Sequence, residues 1–170
     1  MKFFVALIAI AFMSQISLAQ TTQPSQKQWD KAPEMQIDTA KTYIATIDTN
    51  KGKIVLALFA KEAPKTVNSF VFLAKQGFFN GLIFHRVIPG FMIQGGDPTG
   101  TGTGGPGYEF ENENRSSQRG FTKGTLGMAN AGPDTNGSQF FIMDADNGLP
   151  PRGYTIFGEV KEGQDVVHAI

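Results

Sequence analysis

Glycine placement constrains this chain more than any other feature. Twenty of its 170 residues are glycine, and all but Gly52 fall at or beyond Gly77. They cut the second half into short apolar runs: Leu82 to Val87, Phe91 to Gln94, Thr125 to Ala129, Gln139 to Met143 and Tyr154 to Val160. Glycine gives the backbone turn conformations at no steric cost, and inside a helix it is destabilising by about 1 kcal/mol relative to alanine. Short strands joined by glycine turns predict a mainly β domain, either a barrel or a sandwich.

The first half fits that frame. Tyr43-Ile44-Ala45-Thr46-Ile47 and Lys53 to Phe59 are rich in β-formers, and Asn50-Lys51-Gly52 between them is turn chemistry, so a hairpin is expected. Pro64 opens the next segment, Val67, Phe70, Val71 and Ala74 recur at helical spacing, and Gly77 closes it. That combination predicts a helix with both end signals. A second helix is expected to start near Gln164, where Val166, Val167 and Ile170 share a face.

A chain of this length with 41% hydrophobic residues supports one core rather than two. Fifteen basic and fifteen acidic residues cancel, with no long run of either sign, which argues against a nucleic-acid binder or an electrostatic membrane clamp. No cysteine is present, so disulfides, thiolate nucleophiles and Cys-ligated metal centres are excluded. With His85 and His168 the only imidazoles, any metal site would rest on carboxylates, and none is expected.

The N-terminus differs from the rest. Met1-Lys2 is a short basic start, Phe3 to Met13 is apolar, and Ser17-Leu18-Ala19 ends in small residues. The pattern is that of a secretory signal peptide over residues 1–19, cleaved after Ala19, because the apolar run is too short for the ~20 residues of a membrane span. An exported protein, periplasmic or secreted and without stable membrane insertion, is therefore expected. Residues 20–40 carry Gln, Thr, Ser, Pro and Lys with little periodicity and hold the lone tryptophan, Trp29; they are expected to form a flexible linker before a domain over 41–170.

Two long segments carry more specific information. Phe84-His85-Arg86-Val87-Ile88-Pro89-Gly90-Phe91-Met92-Ile93-Gln94-Gly95-Gly96-Asp97 and Met128-Ala129-Asn130-Ala131-Gly132-Pro133-Asp134-Thr135-Asn136-Gly137-Ser138-Gln139-Phe140-Phe141-Ile142 resemble the signature of the cyclophilin family. They come in the family's order and at about its spacing, and the resemblance runs from roughly Thr42 to Ile170. It implies a closed eight-stranded antiparallel β-barrel capped by two α-helices, with the binding groove on the outer face. It also implies peptidyl-prolyl cis/trans isomerase (rotamase) activity without cofactor or metal.

By the same resemblance each site residue receives a role. Arg86 presents its guanidinium to the proline carbonyl and nitrogen, and Gln94 steadies it. Phe91, Met92 and Phe141 form the apolar proline pocket, with Leu149 and Tyr154 as its outer wall. Asn130 offers backbone hydrogen bonds to the residue before proline, Ala129 lines the groove, and Gln139 and Thr103 lie at its edge. Many eukaryotic members place a tryptophan where Leu149 falls, so weak cyclosporin binding with retained activity is expected.

Without the family, several of these residues read differently. Arg86 would be a surface ion-pair partner, and Phe91, Met92 and Phe141 would be core. The double signature favours the catalytic role and exposed groove positions. His85 invites a general-base reading, but neighbours on a strand point to opposite faces, so a structural role is expected. Gly100-Thr101-Gly102-Thr103-Gly104-Gly105 matches GxGxxG by letter, yet Pro106-Gly107 interrupts any following helix, so a loop is expected. The sequons at Asn114 and Asn136 are expected to remain unmodified.

The substrates implied are proline-containing polypeptides of exported proteins, acted on by a monomer. A non-catalytic proline-peptide binding module or chaperone on the same barrel is the alternative, and the presence of Arg86 speaks for the enzyme. A small-molecule binding barrel would need an open apolar interior. Family members continue past the second helix into a strand that closes the barrel, so a chain ending at Ile170 is expected to lack that strand.

Overall fold

The computed structural model describes residues 27–113, 119–146 and 153–170. The expected leader over 1–19 and the sequon at Asn114 lie outside them. The described strands form a single antiparallel sheet. β1 (Tyr43–Thr49) and β2 (Gly52–Leu58) make the predicted hairpin, α1 (Pro64–Lys75) follows, and β3 (Arg86–Ile88) pairs with β4 (Met92–Gly95). β5 (Thr125–Met128), β6 (Phe140–Met143), β7 (Ile156–Glu162) and α2 (Gln164–Ala169) complete the order. Neighbours in the sheet run β1-β2-β7-β5-β6-β4-β3.

Irregularities between Val55 and Leu56 and between Leu126 and Gly127 shift the register, and such bulges bend and twist a sheet. The result among the described residues is a curled half-barrel of seven strands, not the closed eight-stranded barrel expected. Its edges, β1 and β3, line the two sides of an apolar gap that includes Ile47, Phe79, Leu82 and Val87.

The first hairpin shows how local sequence becomes packing. Thr49 Oγ1 accepts the Lys51 N–H at 3.0 Å and donates to the Gly52 carbonyl at 2.8 Å, closing the turn. Along β1, Tyr43, Ala45 and Ile47 pack on the core while Ile44, Thr46 and Asp48 face outward, the period of two that strand geometry dictates. Ile54, Leu56, Val67, Leu126, Ile142 and Phe157 are the fully buried centre of that core.

Helix α1 begins at Pro64, whose missing N–H is no loss in the first turn. Ala63 supplies no side-chain cap. The cap comes from far along the chain: Glu113 accepts the N–H groups of Lys65 at 3.0 Å and Thr66 at 2.8 Å. At the other end Gly77 takes φ +69°, the left-handed conformation that ends helices.

Two expectations need correction here. The segment Leu82 to Val87 becomes a strand only from Arg86, because residues 82–85 approach the sheet without ladder pairing. Residues 27–40, expected as flexible linker, are instead held against the domain. The Trp29 ring sits edge-on to Phe72 at 5.2 Å, and its backbone N–H donates to the Pro106 carbonyl at 2.9 Å. Asn68, on the buried face of α1, accepts the N–H groups of Gln36 and Ile37 and donates to the carbonyls of Pro33 and Glu34. Composition alone hides this, since one aromatic anchor and one partner amide on another element suffice to order a polar segment.

Candidate active site

Strand register builds the site. Arg86 lies opposite Gln94, Gln94 opposite Phe141, Phe141 opposite Gly127, and Gly127 opposite Ile156. One row of residues therefore crosses five strands on a single face. The next row, two residues along, is Ile88, Met92 and Met143. Val87, Ile93, Ile142 and Leu126 lie between these rows, and the last three point through the sheet into the main core.

The outer-face rows form a second, separate apolar cluster of Met92, Phe121, Phe141, Met143 and Ile156, ringed by half-buried Phe59, Ile88, Phe91, Ala129 and Tyr154. Phe141 is its centre, 5.5 Å from the Phe121 ring and 5.6 Å from Tyr154, to which it stands nearly perpendicular at 85°. The expected exposure of the pocket residues is thus corrected: Met92 and Phe141 are only 3% and 5% exposed, and Phe91 alone of the three keeps a partly open face. Phe141 sinks because Gly127 opposite it has no side chain.

Polar groups border this cluster. Arg86 is exposed, and its Nη1 donates to Gln94 Oε1 at 3.4 Å, the side-chain counterpart of their cross-strand pairing. Gln94 Nε2 donates to Gln139 Oε1 at 2.9 Å, and Gln139 Nε2 donates to the carbonyls of Gly102 and Gly104 at 3.0 Å each. Thr103, Gln94, Ala129, Asn130 and Gln139 line one groove of about 910 Å³. Gln28, from the N-terminal segment thought to be linker, also lines it.

Asn130 is fixed through its side chain, with Nδ2 donating to Gly153 O at 2.7 Å and to Asn112 Oδ1 at 3.3 Å. Ala129 donates its N–H to Gln139 O at 3.0 Å, which ties this wall to β6. Leu149 lies outside the described residues. His85 precedes β3 rather than sitting within it, so the strand-alternation argument does not apply. Its two ring nitrogens are shielded and lack a hydrogen-bond partner among the described residues. Asn136 is buried and its Nδ2 is engaged by Phe110 O and Asn112 Oδ1, leaving the second sequon inaccessible.

Sequence reasoning missed three contributors. Phe121 stacks on Phe141, but a lone phenylalanine between Gly120 and Thr122 carries no periodic signal. Asp144 accepts the Gly90 N–H at 3.3 Å and donates its own N–H to Phe91 O at 2.8 Å, so it holds the turn that carries Phe91. Asp97 is buried beneath the Gly-Thr loop. Burial raises its carboxyl, but the Thr99 hydroxyl and the N–H groups of Thr99, Gly102 and Gly104 outweigh this and hold it down at about 2. An Asp followed two residues later by Thr is the short-range turn signal that could have found it.

Fold and site together define the class: a small antiparallel half-barrel presenting a guanidinium beside an apolar cluster on the sheet's outer face. Residues 44–170 match the family model described as cyclophilin type peptidyl-prolyl cis-trans isomerase/CLD. A peptidyl-prolyl cis-trans isomerase of Helicobacter pylori (strain ATCC 700392 / 26695) is 50% identical over 135 residues, covering 78% of this chain and 83% of the relative. The peptidyl-prolyl cis-trans isomerase-like 1 of Mus musculus is 50% identical over 127 residues, covering 73% and 76%. A Cryptosporidium parvum cyclophilin type isomerase, solved in the presence of the dipeptide Ala-Pro, superposes with a TM-score of 0.69 at 38% identity, covering 74% of this chain and 85% of that one. The chain belongs to the cyclophilin-type peptidyl-prolyl cis-trans isomerases.

Proposed function

We propose that this isomerase accelerates rotation about Xaa-Pro bonds in exported polypeptides, with Arg86 as the central catalytic residue and the Met92–Phe141 cluster as the proline seat. The observation that carries it is the shared row: Arg86, Gln94 and Phe141 stand side by side across β3, β4 and β6. A proline ring has no N–H to satisfy and suits an apolar seat. One strand further on, a fixed donor reaches the amide that joins the ring to its neighbour.

The uncatalysed barrier is about 18–20 kcal/mol because rotation breaks amide conjugation. At the twisted geometry the proline nitrogen gains a lone pair that the planar ground state lacks, so a donor aimed there binds the transition state selectively. A guanidinium donor acts by hydrogen bonding without proton transfer, so a rate nearly independent of pH across neutrality is expected. Raising about 0.01 per second to between 10 and 1000 per second requires roughly 4 to 7 kcal/mol, a range within reach of a preorganised charged donor plus orientation.

The groove holding Thr103, Ala129, Asn130 and Gln139 accommodates the chain preceding proline. The Ala-Pro dipeptide named with the Cryptosporidium parvum relative fits this reading. Export rests on the basic-apolar-small pattern of residues 1–19. Weak cyclosporin binding follows from Leu149 in place of a tryptophan, and closure of the barrel belongs to the same reading, the gap between β1 and β3 being the place for an eighth strand.

NMR exchange spectroscopy on a short Xaa-Pro peptide tests the proposal. The chain is expected to accelerate cis/trans exchange, and Arg86→Ala to do so at least about a hundredfold less, equivalent to roughly 2.7 kcal/mol. Equal acceleration by a folded Arg86→Ala variant would remove Arg86 from the mechanism. No acceleration by either would leave a proline-peptide binding module.

A further inference from the structure

Asp97 is 1% exposed and lies outside the pocket, yet the Gly-Thr loop is wound around it. Its Oδ1 accepts the Thr99 N–H at 2.7 Å and the Thr99 hydroxyl at 2.8 Å; its Oδ2 accepts the N–H groups of Thr101, at 3.1 Å, and Gly102. A carboxylate is acceptor-only and has lone pairs enough for all of these, so one side chain gathers the whole turn. A Cβ on Gly104 would overlap Asp97 Oδ1, so the loop closes over the carboxylate with no room to spare.

The same loop turns its carbonyls toward the active site. Gly102 O and Gly104 O both accept from Gln139 Nε2. An amide has two donors at nitrogen and none at oxygen, so two carbonyls on one side determine which way Gln139 faces. Its oxygen is thereby left for Gln94 Nε2, at 2.9 Å, and Gln94 must then present its own oxygen to Arg86 Nη1. Rotating either amide by half a turn would set oxygen against oxygen and nitrogen against nitrogen. The polarity of the whole line, from loop to guanidinium, is decided at its Gly102–Gly104 end.

We propose that Asp97 is a positioning residue for isomerisation: by holding the Gly102 and Gly104 carbonyls in place, it sets the facing of Gln139 and Gln94 and thus the acceptor that holds Arg86. This rests on the catalytic reading of Arg86 above. Asp97 touches neither substrate nor the reacting amide. Its effect on catalysis runs through two glutamines and is removed when that connection is cut.

A double-mutant cycle tests this by separating transmission from general support of the loop. In the full chain, Asp97→Asn puts an NH2 group where loop N–H groups now point and is expected to lower kcat/KM about tenfold, mainly through kcat. Gln139→Met, which keeps length but lacks the amide, is expected to lower it similarly. With Gln139→Met already present, adding Asp97→Asn is expected to cost less than about twofold more. Urea unfolding of each variant reports the stability change separately.

A full tenfold loss from Asp97→Asn in the Gln139→Met background would overturn the proposal, as would a loss confined to KM. So would activity within twofold of the parent chain while stability falls. If Asp97→Asn does not fold, Gln139→Glu stands in: it leaves Asp97 intact, places an oxygen against the two carbonyls, and is expected to give the same kcat loss. Arg86→Ala separates the two levels. If that variant retains full activity, the catalytic reading fails; if it is inactive but the cycle shows no coupling, the relay alone fails.

Discussion

Gly127 on β5 faces Phe141 on β6, and a Cβ at position 127 would lie 2.6 Å from Phe141 Cζ and 3.1 Å from Phe121 Cε1. The absence of one methyl group is what lets Phe141 sink against β5 and pack on Phe121. Gly127→Ala is therefore expected to displace both rings, lowering kcat/KM by about tenfold or more while reducing stability by about 1–3 kcal/mol, the usual range for overpacking. Peptide exchange rates beside urea unfolding check this. Unchanged activity would mean that Phe141 does not bound the substrate site.

Asp97 makes stability depend on acid. Its carboxyl has an ordinary value of 3.8 and sits at about 2 in the folded protein. A depressed folded value means the unfolded chain takes up the proton first as pH falls. The contribution is fully present above about pH 4 and is lost progressively toward pH 2, and it amounts to about 2 kcal/mol. Urea midpoints between pH 5 and pH 2 are expected to fall more steeply for the parent chain than for Asp97→Asn; parallel curves would contradict this.

The Glu113 carboxylate caps α1 across a long stretch of chain, accepting from Lys65 N–H, Thr66 N–H and Thr66 Oγ1. Glu113→Ala leaves those donors without this partner at a helix start that Ala63 does not cap. A loss of about 1–2 kcal/mol is expected, measured by thermal or urea unfolding. A stability within experimental error of the parent would show that water substitutes fully for the carboxylate.

Trp29 anchors the N-terminal segment, packing between Phe72 and Phe78 with centroids at 5.2 and 5.9 Å. Trp29→Ala is expected to release residues 27–40 and cost about 2 kcal/mol, less than a fully buried tryptophan would. Limited proteolysis gives the readout: earlier cleavage within 27–40 supports the anchoring, and an unchanged pattern means that the Asn68 hydrogen bonds hold the segment alone.

Much of the architecture was legible along the chain because its signals are local. Turn residues bracket β1 and β2, Pro64 and Gly77 bracket α1, and the run Tyr154 to Val160 is strand chemistry at short range. Four of the residues gathered at the groove, Gln94, Ala129, Asn130 and Gln139, were accessible only through the two long signature segments, and Thr103 only through the wider family resemblance. Nothing in their spacing indicates that β4 and β6 become neighbours. The strap over 27–40 was misread for the complementary reason: its order comes from Phe72, Phe78 and Asn68 on and just beyond α1, and local composition is blind to partners that distant.

By itself, then, the sequence determined where the chain turns, which segments extend or coil, and that one arginine stands among apolar residues in a family-specific order. Only the tertiary structure decided which faces meet. Strand period is two, so each residue's side is known only relative to its neighbours; which side becomes core and which becomes pocket depends on pairing between strands far apart in sequence. That pairing set Arg86 beside Gln94 and sank Phe141 over Gly127, and the folded loop placed the buried Asp97 beneath the Gly102 and Gly104 carbonyls that accept from Gln139.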